Sequence, residues 1–119
     1  MERRQYEHHL GRLSEAMREE ITAIIEGELQ DPRVGLVAVT EVQLAPDGRS
    51  AHVLVVVSGD ESDAKRTLQG LDAATGYIRR ELGYRLRLRQ APELFFRLDR
   101  SEQYESRIDE LLRRIYKRS

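Results

Sequence analysis

The 119-residue sequence has no cysteine. Disulfides, thiolate zinc sites and cysteine nucleophiles are thereby excluded, and a reducing compartment is the natural setting. No apolar run approaches the roughly 20 residues that a membrane span needs, and the N-terminal MERRQYEHHL carries no apolar h-region. A cytoplasmic location is the expectation. Catalytic signatures are missing too: there is no HExxH, no GxSxG and no GxxxxGK followed by Ser or Thr. Gly70, Gly76 and Gly83 are too widely spaced for a dinucleotide fingerprint. His8 and His9 adjoin near the N-terminus, where helical neighbours point about 100° apart and cannot share one ion. His52 falls in an expected strand. Neither an enzyme, nor a metal, nor a cofactor is expected.

What is present suffices for one domain. Apolar residues make up 39% and charged residues 34% of the chain, enough for one core under a well-solvated surface. The expected unit spans 1–119, with a core of about 10–116. Leu10, Leu13, Met17, Ile21 and Ile24 share one stripe at helical spacing, and Pro32 stops that helix near Leu29. From Leu36 to Leu44, and again from Ser50 to Val57, the period is two with many β-branched residues. APDGRS between them supplies a tight turn, which predicts an antiparallel hairpin. SGDESD then provides acids for the first turn of the next helix.

A second apolar stripe runs through Ala64, Leu68, Leu71, Thr75, Ile78, Leu82 and Leu86. A single helix over 63–88 would be roughly 39 Å long, beyond the span of a small domain. A break is expected, and Gly76 is the cheapest place for it, with Gly83 second. RLRLR alternates and fits either the end of this helix or the start of a strand, the helix end being the preferred reading. APELFFRLD predicts a third strand, with Leu94, Phe96 and Leu98 on one face and Phe95 and Arg97 on the other. Tyr104, Ile108, Leu111, Leu112 and Ile115 predict a final helix.

The net charge of −1 conceals an asymmetry. Residues 64–100 hold nine basic and four acidic residues, leaving eleven basic and seventeen acidic elsewhere. Such segregation steers a polyanion to one face. With Ile78, Leu82 and Leu86 turned inward, Arg80, Tyr84 and Arg87 fall on the outer side of the helix, flanked by Arg79 and Gly83. Guanidiniums with an aromatic ring at this spacing suit a phosphate backbone with bases or sugars beside it. A helix starting at Gly76 would add free N–H groups and a positive dipole end. RNA is the partner these pieces fit. A protein-interaction module that uses the hairpin edge or the acidic first helix, with the arginines serving solubility, is the competing reading.

DPRVG after the first helix, the hairpin, AATGYIRREL, RLRQAPEL and DRSEQYESRIDELL occur in the order found in ribosome-binding factor A, and the chain resembles that family from about Arg12 to Ile115. The resemblance implies an α+β, type II KH-like domain with a three-stranded sheet and a C-terminal helix. Ala74, Thr75 and Gly76 would form the interhelical kink that replaces a GxxG loop. Arg79, Arg80, Arg85, Arg87 and Arg89 would face ribosomal RNA, with Tyr84 beside them. It also implies binding to the small (30S) ribosomal subunit and its 16S rRNA, help in late assembly and 5′-end rRNA maturation, and importance for growth in the cold. The sequence leaves oligomeric state open, and a monomer is the expectation. The family often has Lys where Tyr84 stands and Gly where Glu105 stands.

Overall fold

In the computed structural model, which describes residues 3–100 and residue 113, the first apolar stripe winds α1 over Arg3–Glu28. Met17, Ile21 and Ile24 of this helix are fully buried, and burying each stabilises the fold by about 1.5–3 kcal/mol. Beyond α1, Asp31 turns the chain by accepting the Arg33 backbone N–H (2.8 Å) and pairing with its guanidinium (2.7 Å). Those contacts hold the Asp31 carboxyl down at about 2.

The hairpin forms as expected, with β1 at Val37–Leu44 and β2 at Ser50–Val57. Its strands pair antiparallel, and the register shifts between Val39 and Glu41. That bulge rephases the strand: Val37 and Val39 face the core before it, and Val42 and Leu44 after it. Simple alternation had not foreseen the change. The Thr40 hydroxyl at the bulge donates to Asp99 Oδ2 (2.7 Å), a buried carboxylate beyond the third strand. Strand β3, Glu93–Leu98, joins β2 in parallel, giving the order β1-β2-β3. Leu94 and Phe96 point into the core and Arg97 outward, as the alternation predicted.

Between β2 and β3 lie α2, Glu61–Ala73, and α3, Thr75–Arg85. Both bury the continuous second stripe: Ala64 and Leu71 from α2, Ile78 and Leu82 from α3. Helix α2 packs on β2 and β3, and α3 on α1 and β3. The two helices thus cover different parts of the sheet, which one straight helix could not do. The three helices α1, α2 and α3, among the described residues, contribute to one core against the inner face of the sheet. The expected helix through Tyr104, Ile108, Leu111, Leu112 and Ile115, with Glu105, lies outside the described residues.

The DPRVG loop is clamped to α2. Thr67 Oγ1 accepts the Gly35 N–H (3.1 Å) and donates to the Arg33 carbonyl (3.4 Å). Gly70 allows the approach, because a Cβ there would lie 2.6 Å from Val34 Cγ2.

Candidate RNA interface

The helix break falls at Ala74, whose φ of −90° and ψ of 0° are open to any L residue. Gly76 lies inside the first turn of α3, so the expectation of a bend at that glycine is corrected. Backbone competition explains the position. Thr75 Oγ1 donates to the Leu71 carbonyl (3.1 Å), the acceptor its own N–H would use in an unbroken helix. The Ala74 N–H meanwhile is shared between Gly70 and Leu71 carbonyls. Helix α3 therefore starts afresh, with Ile78 N–H donating to the Ala74 carbonyl (3.0 Å) as its first internal bond. The N–H groups of Thr75, Gly76 and Tyr77 precede that bond at the positive end of the helix dipole. No side chain caps them and no acid stands in the first turn.

Gly76 is exposed, and a Cβ placed there would meet nothing within 4 Å. Neither strain nor internal packing demands a glycine. Its place in a surface groove of about 420 Å³ does give it a use: Gly76, Arg80, Gly83, Tyr84, Leu88 and Arg89 are among the residues that line it. Two glycines seven residues apart leave bare backbone along the outer face of α3, where a ligand's own backbone can come close. Between them stands Arg80. Next to it, Tyr84 is 86% exposed, against 40% for Tyr6 and 37% for Tyr77. Tyr6 and Tyr77 spend their hydroxyls on the Pro46 carbonyl and Glu28. Tyr84 makes no such bond among the described residues, and its ring is an open stacking surface.

The arginines divide into two groups. Arg80, Arg87 and Arg89 are exposed, and their guanidiniums form no ion pair or hydrogen bond among the described residues. Arg79 and Arg85 are engaged within the protein, although Arg79 also lines the groove. Arg79 donates to the Pro92 carbonyl (3.0 Å) through Nε and to the Ala91 carbonyl (2.9 Å) through Nη2, tying α3 to the segment before β3. Arg85 turns toward α1, where Glu28 and Glu20 (3.5 Å) hold it together with Glu81 (3.4 Å). Desolvation opposes its charge, but Glu28 and its neighbours outweigh that and keep the guanidinium above its ordinary value. The wheel missed both because neither the Ala91–Pro92 carbonyls nor the α1 glutamates are neighbours in sequence.

Arg87 lies just past the helix, in the left-handed region at φ 52°. Leu88 N–H donates to the Gly83 carbonyl (2.9 Å) and Arg87 N–H to the Tyr84 carbonyl (3.4 Å). This is the Schellman closure, which usually has Gly where Arg87 stands. The RLRLR stretch thus ends the helix three residues earlier than its apolar spacing suggested and turns Arg87 out to solvent. Leu88 and Ala91, which line the groove after this turn, were not singled out from sequence.

No group of three or more His, Asp or Glu among the described residues could hold a metal ion, and His8, His9 and His52 are each exposed. No described helix is long and apolar enough to cross a membrane.

Comparisons with known proteins identify the family and the fold. The family model for ribosome-binding factor A matches residues 9–112. Ribosome-binding factor A of Koribacter versatilis is 61% identical over 118 residues, covering 99% of this chain and 96% of that one. The crystal structure of ribosome-binding factor A from Thermus thermophilus superposes with a TM-score of 0.69 at 28% identity, over 77% of this chain and 98% of that one. A homology model of the Thermus thermophilus factor, fitted into a cryo-electron-microscopy map of its complex with the 30S subunit, gives 0.57 at 34% identity, covering 80% and 96%. Sequence motifs, a KH-like fold and a kinked helix pair coincide in one molecule, and the chain belongs to the ribosome-binding factor A family.

Proposed function

We propose that this protein binds the small ribosomal subunit through its 16S rRNA, using the outer face of α3. The carrying observation is the α3 groove, where Arg80 and Arg89, without partners among the described residues, adjoin an 86% exposed Tyr84, with the exposed Arg87 just beyond. Guanidiniums supply phosphate contacts, the ring supplies a stacking surface, and the α3 N-terminus adds free amides. Ala74, Thr75 and Gly76 act together: the first two set the break, and the glycine leaves room for a strand of RNA. Arg79 lines the groove while tying α3 to the segment before β3, and Arg85 anchors the helix to α1. The Thermus thermophilus relative fitted on the 30S subunit supports the choice of partner.

Nothing in this mode of binding requires chemistry. The protein acts in the cytoplasm as a monomeric, non-catalytic assembly factor, holding late small-subunit rRNA while its 5′ end matures. Structured rRNA misfolds more persistently in the cold, which fits a role there.

The test is co-sedimentation of the Arg80→Glu/Arg87→Glu variant with purified small subunits. Neither guanidinium has an internal partner among the described residues, so the variant should fold normally yet bind far more weakly. The unsubstituted protein should lose affinity with salt by about 0.7–0.9 log units per log of salt for each phosphate contact. Undiminished binding by the folded variant, or salt-indifferent binding by the parent, would point to a protein-interaction module instead.

A further inference from the structure

We infer that the RNA path continues beyond α3 to the turn of the β1–β2 hairpin, where Arg49 makes an additional phosphate contact. This rests on the reading of α3 as the RNA-binding face. A second depression, of about 550 Å³, lies between the hairpin turn at Asp47, Gly48 and Arg49 and the segment Leu88–Ala91. Leu88, Arg89 and Ala91 line both it and the α3 groove. The two depressions therefore adjoin across these residues, with Arg89 at the junction, Arg80 lining the one on α3 and Arg49 the one at the turn. A strand of alternating phosphates and sugars fits such a line of separated cations, while a compact anion would engage only one of them.

The turn presents Arg49 rigidly. Gly48 takes the left-handed φ of 71° that closes it, and its N–H donates to the Ala45 carbonyl (2.9 Å). Asp47 Oδ1 accepts the Arg49 N–H (3.0 Å), and the Arg49 carbonyl accepts the N–H of Glu93 at the start of β3 (2.9 Å). With its backbone held at both ends, the exposed Arg49 guanidinium has no ion pair or hydrogen bond among the described residues. Among the described residues, Asp47 is the one acid lining either depression. Its charge opposes an RNA strand at that end.

Three variants of the full chain, assayed on purified small subunits, test this. Arg49→Gln should keep the melting temperature, weaken binding several-fold and lower the salt slope by about 0.7–0.9, the worth of one phosphate. Asp47→Asn retains an oxygen for the Arg49 N–H while removing the negative charge, so binding should tighten. Because the chain has no native cysteine, Asp47→Cys can carry a single hydroxyl-radical probe, which should cut rRNA beside the turn. If Arg80→Gln weakens binding and Arg49→Gln changes neither affinity nor slope, the extension is wrong and the α3 reading stands. Loss of affinity by Arg49→Gln at unchanged slope, with no rRNA cut from position 47, would assign the turn to a ribosomal protein and overturn the proposal. Should Arg80→Gln also bind normally, the α3 reading itself falls.

Discussion

Helices α2 and α3 carry one apolar stripe and are separated by a single residue, yet they are finished in opposite ways. At the start of α2, Asp60 accepts the Asp63 N–H (3.0 Å) while Asp63 accepts the Asp60 N–H (2.9 Å). Glu61 and Asp63 offset the dipole in that first turn, and Gly70 is buried against Val34. Helix α3 has no side-chain cap, no acid in its first turn, and a glycine facing solvent. It ends at an arginine in a conformation that favours glycine. Each departure costs some local stability and leaves positive potential or bare backbone on the outer surface. Helix α2 is closed by its own cap and packing, whereas α3 leaves open the face proposed to bind RNA.

The sharpest way to break this comparison is to put the same side chain at both glycines. Gly70→Val would drive methyl groups into Val34 and should destabilise the domain by about 1–3 kcal/mol through overpacking. At about 4–8 °C per kcal/mol for a domain this small, thermal melting resolves that readily. At Gly76 a Cβ has no neighbouring heavy atom from the rest of the fold within 4 Å, and valine replaces a poor helix former, so the melting temperature should stay close to the parent's while subunit binding weakens. If Gly76→Val melted as early as Gly70→Val, Gly76 would be a structural joint rather than part of the binding floor.

A smaller effect is expected from the capping box. The Asp63 backbone N–H donates to the ionised Asp60 carboxyl and lowers its pKa. Such a group contributes stability above its unfolded pKa of about 3.9, and the contribution disappears as pH falls through the lower folded value. Asp60→Ala should therefore melt below the parent at neutral pH, with the difference shrinking on acidification. Thermal melts at several pH values read this directly. Subunit binding near neutrality should be unaffected. An equal deficit at all pH values would mean that the carboxylate charge contributes nothing to the cap.

Most of the architecture was legible in the sequence because local periodicity and burial coincide there: the first stripe, the hairpin and the Leu94/Phe96 face each appear where the pattern put them. The site was legible only in part. Arg80 and Tyr84 project outward because Ile78 and Leu82 fix the helix rotation, and that follows from spacing alone. Arg79 and Arg85 sit on the same helix, yet their directions depend on carbonyls at Ala91 and Pro92 and on α1 glutamates as many as 65 residues away in sequence. The cost of a helical glycine placed the break two residues late, at Gly76, whereas the Ala74–Gly76 kink implied by the family resemblance contains it. Glycine marks where a bend is cheap, whereas the hydroxyl of Thr75 decided where this one occurs.

Arg87 allows the smallest and most discriminating test. A non-glycine residue in the left-handed region costs about 1–2 kcal/mol, and the Schellman closure needs only a backbone that tolerates it. Arg87→Gly removes that strain, although glycine's greater freedom in the unfolded chain returns part of the gain. The variant should melt at a slightly higher temperature, with a net benefit of about 0.5–1 kcal/mol. If the residue serves only the turn, subunit binding will be unchanged and glycine will simply be the better choice. If the guanidinium is aimed at a phosphate, binding will weaken and the salt slope will fall by about 0.7–0.9, even as the fold is strengthened. Opposite signs in the two measurements would identify Arg87 as a place where the chain gives up local stability to keep a charge on the binding face.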